Sequence, residues 1–435
     1  MDVYASKFGP VRLEPDTSRT NMWALMYVSF VTIGLVTGMV TITPFILTAN
    51  LGIPEAEQGR ALGTLAFWQE ITLILAYGPI GIFADRIGRR AVYAAGFLTL
   101  AVGYAIYPYA TSMTELSLAR VLYSLGVGAM TGMLATVIAD YGVEEDRGKL
   151  TAMCGFLNGL GVVLLALSIG KLPALFEQMG ADSITAGRDA MLVATGLCLL
   201  STLVSWRYLR PGLPKAVTNL PKQTFLAKLT EGFGVARTNK RIALAYASGF
   251  VARGDIAIVG LFASAWGKKA AIANGLSPTE ALSAGIIPFV VAQSAALLWA
   301  PAVAIPLDRI PRMAALGWCM IIGMIGYCCL YFVGDPLKGP ALGLFALLGI
   351  GQISALLAAQ TTISKEATEA MRGSIIGVFN FCGAVGILIL TVIGGWLFDK
   401  VGPWAPFFLV GLLNGLVGIA AFKQNQNETT ATLTA

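Results

Sequence analysis

Apolar residues recur along the chain in runs of about twenty, each closed by Gly, Pro or a cluster of charges. A helix of that length rises about 30 Å, the thickness of a bilayer's hydrocarbon core, and satisfies its own backbone polar groups there. The pattern predicts twelve such spans, over 23–48, 62–84, 91–110, 115–139, 150–172, 189–209, 243–266, 282–305, 313–333, 339–361, 374–397 and 404–422. The expected class is therefore an all-α membrane protein with twelve transmembrane helices. The first twenty residues carry Asp2, Lys7, Arg12, Glu14, Asp16 and Arg19 and no apolar core, so they read as neither a secretory signal nor a transit peptide.

Composition narrows the function classes. Of 435 residues, 56% are apolar and 12% charged, about half the charged share that a water-soluble surface needs. A soluble enzyme and a disordered chain are both excluded. The net charge of +6 comes from basic residues dispersed between apolar runs, without the stripe that nucleic acid requires. Sorted by loop, Lys and Arg favour the side of the termini by about three to one. This positive-inside bias predicts a multi-pass protein of a cytoplasmic or plasma membrane, with both termini in the cytoplasm. No catalytic triad, Cys-X-X-Cys pair, metal spacing or phosphate loop is present, and no cofactor or metal is expected. The six cysteines all lie inside spans and read as packing residues.

The chain also repeats itself. Asp85-Arg86-Ile87-Gly88-Arg89 after the second span returns as Asp308-Arg309-Ile310-Pro311-Arg312 after the eighth, 223 residues on. Arg147-Gly148 after the fourth span returns as Arg372-Gly373 after the tenth, 225 residues on. Two matches at nearly one offset imply two six-helix halves in parallel orientation. The expected divisions are a tail 1–22, an N-terminal bundle 23–210, a polar linker 211–241, a C-terminal bundle 242–422 and a tail 423–435.

The stretch Gly81-Ile82-Phe83-Ala84-Asp85-Arg86-Ile87-Gly88-Arg89-Arg90 closely resembles the loop motif of the major facilitator superfamily. Gly395-Trp396-Leu397-Phe398-Asp399-Lys400-Val401-Gly402 resembles the same pattern. The resemblance implies two pseudo-symmetric six-helix bundles, a cavity lined by spans 1, 4, 7 and 10, and halves that rock to expose it alternately. It also implies a gating role between the halves for Gly81, Asp85, Arg86, Arg89, Asp308, Arg309, Arg147 and Arg372. A latch is the expected chemistry, because a small residue permits close approach and Asp85 can meet a helix N-terminus or an Arg.

Ionisable groups at bilayer depth cost several kcal/mol unless paired or wetted, so each is a site candidate. Glu70 and Asp255 are the expected proton-coupling residues, since the chain has no histidine and a buried carboxylate titrates closest to neutral pH. Arg120, Arg253 and Gln352 are the expected substrate contacts, because a guanidinium binds a carboxylate bidentately. About 200° of helix separates Arg253 from Asp255, so they point apart, and Arg120 is the expected long-range partner of Asp255. Glu70 displaced by 223 lands on Gln293, and Asn158 matches Asn380 within three residues. The family arrangement implies Glu70 facing Asn380 and Gln293 facing Asn158, as polar positions of the interface.

The reading is a proton-coupled secondary transporter for a small, partly hydrophobic organic anion, working as a monomer in the lipid bilayer. Sodium in place of the proton, an exporter of amphipathic or cationic compounds, and a non-transporting receptor or scaffold stand as alternatives. Arg120 and Arg253 disfavour a cationic cargo, and the fifth span lacks the Gly-Pro pair of the drug-antiporter signature.

Overall fold

The computed structural model describes residues 7–212, 225–367 and 371–434, with the side chains of 225–228, 308, 372 and 428–434 outside the description. Linker residues 213–224 therefore lie outside the described residues, as do the side chains of the expected gating residues Asp308 and Arg372.

Among the described residues, twelve segments are long and apolar enough to cross a membrane. The N-terminal ones are α1 (Arg19–Ala49), α2 (Gln58–Ile87), α3 (Arg89–Ile106), α4 (Met113–Tyr141), α5 (Arg147–Gln178) and α6 (Ser183–Tyr208). After them come a short α7 (Phe225–Thr238), then α8 (Lys240–Ala273), α9 (Pro278–Gly285), α10 (Ile287–Arg309), α11 (Arg312–Cys328), α12 (Gly339–Glu366), α13 (Arg372–Lys400) and α14 (Ala405–Thr434). Most of these helices outrun the apolar stretch at one end or both, because polar residues just outside it serve as caps. Ser18 and Asn21 form a capping box on α1, and Asp182 accepts the amides of Ile184 and Thr185 at α6.

Two features depart from the simple pattern. The eighth span is broken at Ile286 into α9 and α10, as expected where Pro288 offers no N–H and crowds the carbonyl four residues back. Part of the polar linker is helical: α7 packs on the start of α13, where Ser374 bonds to Glu231 and a Cβ on Gly232 would crowd the Ser374 carbonyl.

The helices gather into two compact units. The first comprises Met1–Glu55, Phe67–Val217 and Ala271–Ile286, the second Ala56–Ala66, Thr218–Ala270 and Ile287–Ala435. In the first unit α1 lies along α5, and a Cβ on Gly161 would collide with the Phe30 carbonyl oxygen. The residues 7–14 form a strap: β1 (Lys7–Phe8) pairs with β2 (Val11–Arg12), and Arg12 reaches Asp146 at 2.8 Å from its Nε. The Val143 and Glu14 amides bond across to Arg12 and Tyr141, which ties the strap to the α4–α5 turn.

In the second unit the same device recurs. Gly386 of α13 sits against the Phe250 carbonyl of α8, and Gly349 of α12 against the Ala292 carbonyl of α10. In hydrocarbon there is no hydrophobic force between helices, so close backbone approach at small residues supplies the packing.

Candidate functional site

Three polar clusters sit inside these bundles, where the surrounding sequence is almost wholly apolar. The first is at Asp255, in the middle of α8. Its side chain is 0% exposed, and neither carboxyl oxygen has a hydrogen-bond partner. Asn414 of α14 and Tyr327 of α11 lie beside the carboxyl without closing a bond of normal geometry, and both are fully buried. The Tyr327 hydroxyl and the Asn414 Oδ1 are likewise unpartnered. Asn414 donates its Nδ2 to the Val410 carbonyl of its own helix at 3.0 Å.

Arg253 points elsewhere, as the two-residue spacing requires. Its guanidinium donates to Asn380 of α13 at 2.9 Å, and its methylenes lie over Gly383. Asn380, expected opposite Glu70, thus serves Arg253 within the second unit. Glu70 itself is buried at 5% exposure in α2.

The second cluster surrounds Arg120 of α4, which is 1% exposed. Its Nε and one terminal nitrogen have no partner, and no carboxylate is paired with it among the described residues. Tyrosines take the place of counterions: the guanidinium lies 5.0 Å from the Tyr123 ring, with Tyr104 and Tyr107 beside it. The Tyr123 hydroxyl is committed to the Val36 carbonyl of α1 at 3.1 Å. A positive charge among aromatic faces keeps its donors available to an anion.

The third is an amide pair. Gln293 of α10 donates to Gln352 of α12 at 3.1 Å, and further along the same two helices Trp299 donates to Ser354 at 3.1 Å. Gln352 is 4% exposed, so its oxygen is held by Gln293. Asn158 of α5 keeps an unpartnered Oδ1.

At the other end of the first unit, Arg89 pairs with Asp140 of α4 and donates to the Thr136 carbonyl at 3.3 Å. Arg90 stacks on Trp206 and Arg210 on Tyr141. A Cβ on Gly81 would meet no atom within 4 Å, so no neighbour uses its small size here. Arg86, Arg147 and Arg309 are exposed.

Sequence reasoning passed over Asn414, Lys268 and Asp399. Asn414 was visible as the one Asn in the last apolar run, though its alignment with Asp255 is tertiary. Lys268 was read as lying beyond its span, but α8 continues to Ala273 and buries it completely, with Gln58 at 3.5 Å. Asp399 ends α13 by accepting the amides of Gly59 at 2.8 Å and Arg60 at 2.7 Å, the first turn of α2.

A family model described as Major Facilitator Superfamily matches residues 25–391 and, in a second match, 260–432. Magnetosome protein MamH of Paramagnetospirillum magneticum is 26% identical over 93% of this chain and 92% of its own. Magnetosome protein MamZ of the same organism is 25% identical over 93% of this chain, which spans 63% of MamZ. The crystal structure of nucleoside transporter NupG superposes with a TM-score of 0.71 at 15% identity, covering 93% of this chain and 99% of that one. At that identity the likeness is one of fold. It agrees with twelve helices in the arrangement expected from the loop motif.

Proposed function

Because this chain belongs to the major facilitator superfamily of membrane transporters, we propose that it is a proton-coupled secondary transporter for a small, partly hydrophobic organic anion, working by alternating access. The observation that carries this reading is Asp255, a carboxyl sealed inside a helical bundle with both oxygens unpartnered. A carboxylate in such a place costs several kcal/mol, whereas the neutral acid costs little, so the group takes a proton before it is sealed and gives it up on reaching water.

Arg120 supports the anionic cargo. Its unpaired donors, flanked by tyrosines, suit a carboxylate that slides onto the guanidinium while an apolar body rests on the rings. Arg253, tethered to Asn380 by a single bond, is the second cation and can turn to the cargo without leaving a carboxylate unpaired. Glu70 is the second proton candidate. Gln352 orients cargo through the amide that Gln293 holds. A proton carried with a monovalent anion makes the step electroneutral, which lowers the cost of moving the charge through hydrocarbon.

The test is uptake into proteoliposomes loaded at pH 7.5 and diluted to pH 5.5, against a no-gradient control, with a panel of hydrophobic carboxylates and a matched panel of lipophilic cations. Acceleration of a carboxylate by the gradient, lost in Asp255→Asn while counterflow at equal pH persists, is the expected result. Gradient-driven movement of cations, retained in Arg120→Gln and Arg253→Gln, would replace the anion with an exported cation.

A further inference from the structure

The two units share a seam that can be compared position by position. Phe30 of α1 meets Gly161 of α5 as Phe250 of α8 meets Gly386 of α13, and Gly34 against Leu165 returns as Gly254 against Leu390. In both contacts the offset is 220 from α1 to α8 and 225 from α5 to α13. In that register Tyr27 becomes Ala247, Leu157 becomes Cys382 and Leu160 becomes Val385, each a loss of side-chain volume. Tyr27 is half-buried in the first unit and bonds Ser201 of α6 at 3.0 Å. In the second unit the three smaller residues line a groove of about 440 Å³, walled also by Phe250 of α8, Leu416 of α14 and Phe233 of α7. That volume is in the range of a small-molecule pocket.

The groove is apolar along its length and basic at one end. Tyr246 lies in its wall, with its hydroxyl committed to the Gly232 carbonyl at 3.2 Å and its ring 6.1 Å from Phe233. These contacts fold α7 back along α8, with the turn at Asn239. Arg237 is one helical turn beyond Phe233, Lys240 is two turns before Ala247, and Lys423 is two turns beyond Leu416, so each lies on the helix face that lines the groove. All three are exposed. Over residues 229–250, 373–385 and 405–427 the one carboxylate is Glu231, and Ser374 already bonds to it.

A soluble anion would use the cations and leave the groove empty, and a neutral hydrocarbon would do the reverse. An anionic phospholipid uses both. In hydrocarbon a chain gains no transfer energy by entering the groove, but an unfilled groove forfeits its dispersion contacts. The headgroup then decides which lipid stays, because basic residues at a bundle's end attract a phosphate. We propose that α7, α8, α13 and α14 form a specific site for one anionic phospholipid, with an acyl chain between Ala247, Cys382 and Leu416 and the phosphate among Arg237, Lys240 and Lys423. The bound lipid bridges α7 to α14 and so fastens the helical part of the linker to the bundle. None of the residues proposed above for cargo or proton takes part, so this site is independent of the transport reading.

The experiment is native mass spectrometry of the purified full chain, titrated in detergent with dioleoyl phosphatidylglycerol, dioleoyl phosphatidylcholine or glycerol phosphate. Wild type is expected to retain one phosphatidylglycerol at collision energies that strip phosphatidylcholine, and to retain no glycerol phosphate. Ala247→Tyr and Cys382→Leu restore the residues of the first unit and fill the groove without changing charge, and each is expected to lose the retained lipid. Combined Arg237→Gln, Lys240→Gln and Lys423→Gln, all at exposed positions, is expected to reduce retention of phosphatidylglycerol several-fold, to the level of phosphatidylcholine. Equal retention of the two lipids by wild type, or undiminished retention in both groove-filling variants, means boundary lipid only and overturns the proposal. Retention of glycerol phosphate that matches phosphatidylglycerol overturns it in favour of a soluble phosphate. A wild-type dimer that Ala247→Tyr separates shows that a second copy covers the groove, and overturns it too.

Discussion

Arg120 is a guanidinium in the core of a bundle with a tyrosine ring at 5.0 Å and two nitrogens unpartnered. A cation–π contact contributes about 0.5–2 kcal/mol, less than the desolvation of a buried cation. The residue is thus a net burden on the fold that an anion relieves. Arg120→Met is expected to stabilise the ligand-free protein by about 1 kcal/mol or more, read as a higher melting temperature, and to abolish stabilisation by carboxylates in a thermal-shift assay. A lower melting temperature would mean that Arg120 holds the bundle together and is no cargo residue. The amide pair makes the opposite prediction. Gln293 and Gln352 satisfy each other at 3.1 Å, so Gln293→Leu frees a buried amide on Gln352. It is expected to lower stability by about 0.6 kcal/mol, the mean for such bonds in membrane proteins.

At the scale of the helix, glycines decide which surfaces meet. Gly161 of α5 on Phe30 of α1 and Gly386 of α13 on Phe250 of α8 are contacts that no Cβ survives. Gly161→Val and Gly386→Val are each expected to lower thermal stability by about 1–3 kcal/mol through overpacking. Gly155→Ala on α5, where nothing lies within 4 Å, is expected to be neutral or stabilising, since Ala favours the helix by about 1 kcal/mol. Equal losses at Gly155 and Gly161 would show that helix propensity, and not close approach, sets the effect. Helix ends follow the same logic. Asp399 accepts the Gly59 and Arg60 amides, so Asp399→Ala leaves the first turn of α2 uncapped, at a cost of about 0.5–2 kcal/mol. Hydrogen exchange over residues 58–62 should quicken in Asp399→Ala and remain near wild type in Asp399→Asn.

For the whole molecule, duplication organises the chain. Gly161 and Gly386 are 225 residues apart, the offset already seen between Arg147 and Arg372, and their partners Phe30 and Phe250 are 220 apart. The same seam holds one helix pair in each unit. In the proposed alternating access each bundle moves as a body, and seams of backbone on backbone make such bodies stiff. If Asp85 biases one state, Asp85→Asn should change the rate at which a membrane-impermeant maleimide modifies Gly81→Cys, a site with room for the thiol. An unchanged rate rejects the gating role. The native cysteines add little background, because Cys154, Cys198 and Cys319 are buried and the rest half-buried.

The apolar runs by themselves determined twelve helices, because hydrocarbon leaves a spanning segment no other way to satisfy its backbone. The repeated Asp-Arg motifs determined the duplication, since an offset is a property of the chain and needs no coordinates. The same residues marked Asp255 and Arg120 as sites, as a charge inside an apolar run is conspicuous. Tertiary structure alone decided what those charges meet. Arg120 has the ring of Tyr123 on its own helix with Tyr104 and Tyr107 beside it, Gln293 meets Gln352, and Asp255 has Asn414 and Tyr327 beside it from helices far along the chain. The physical reason lies in the membrane. An apolar span has no hydrophobic stripe to say which face turns inward, so the rotation of each helix, and with it every polar partner, is set by packing against its neighbours.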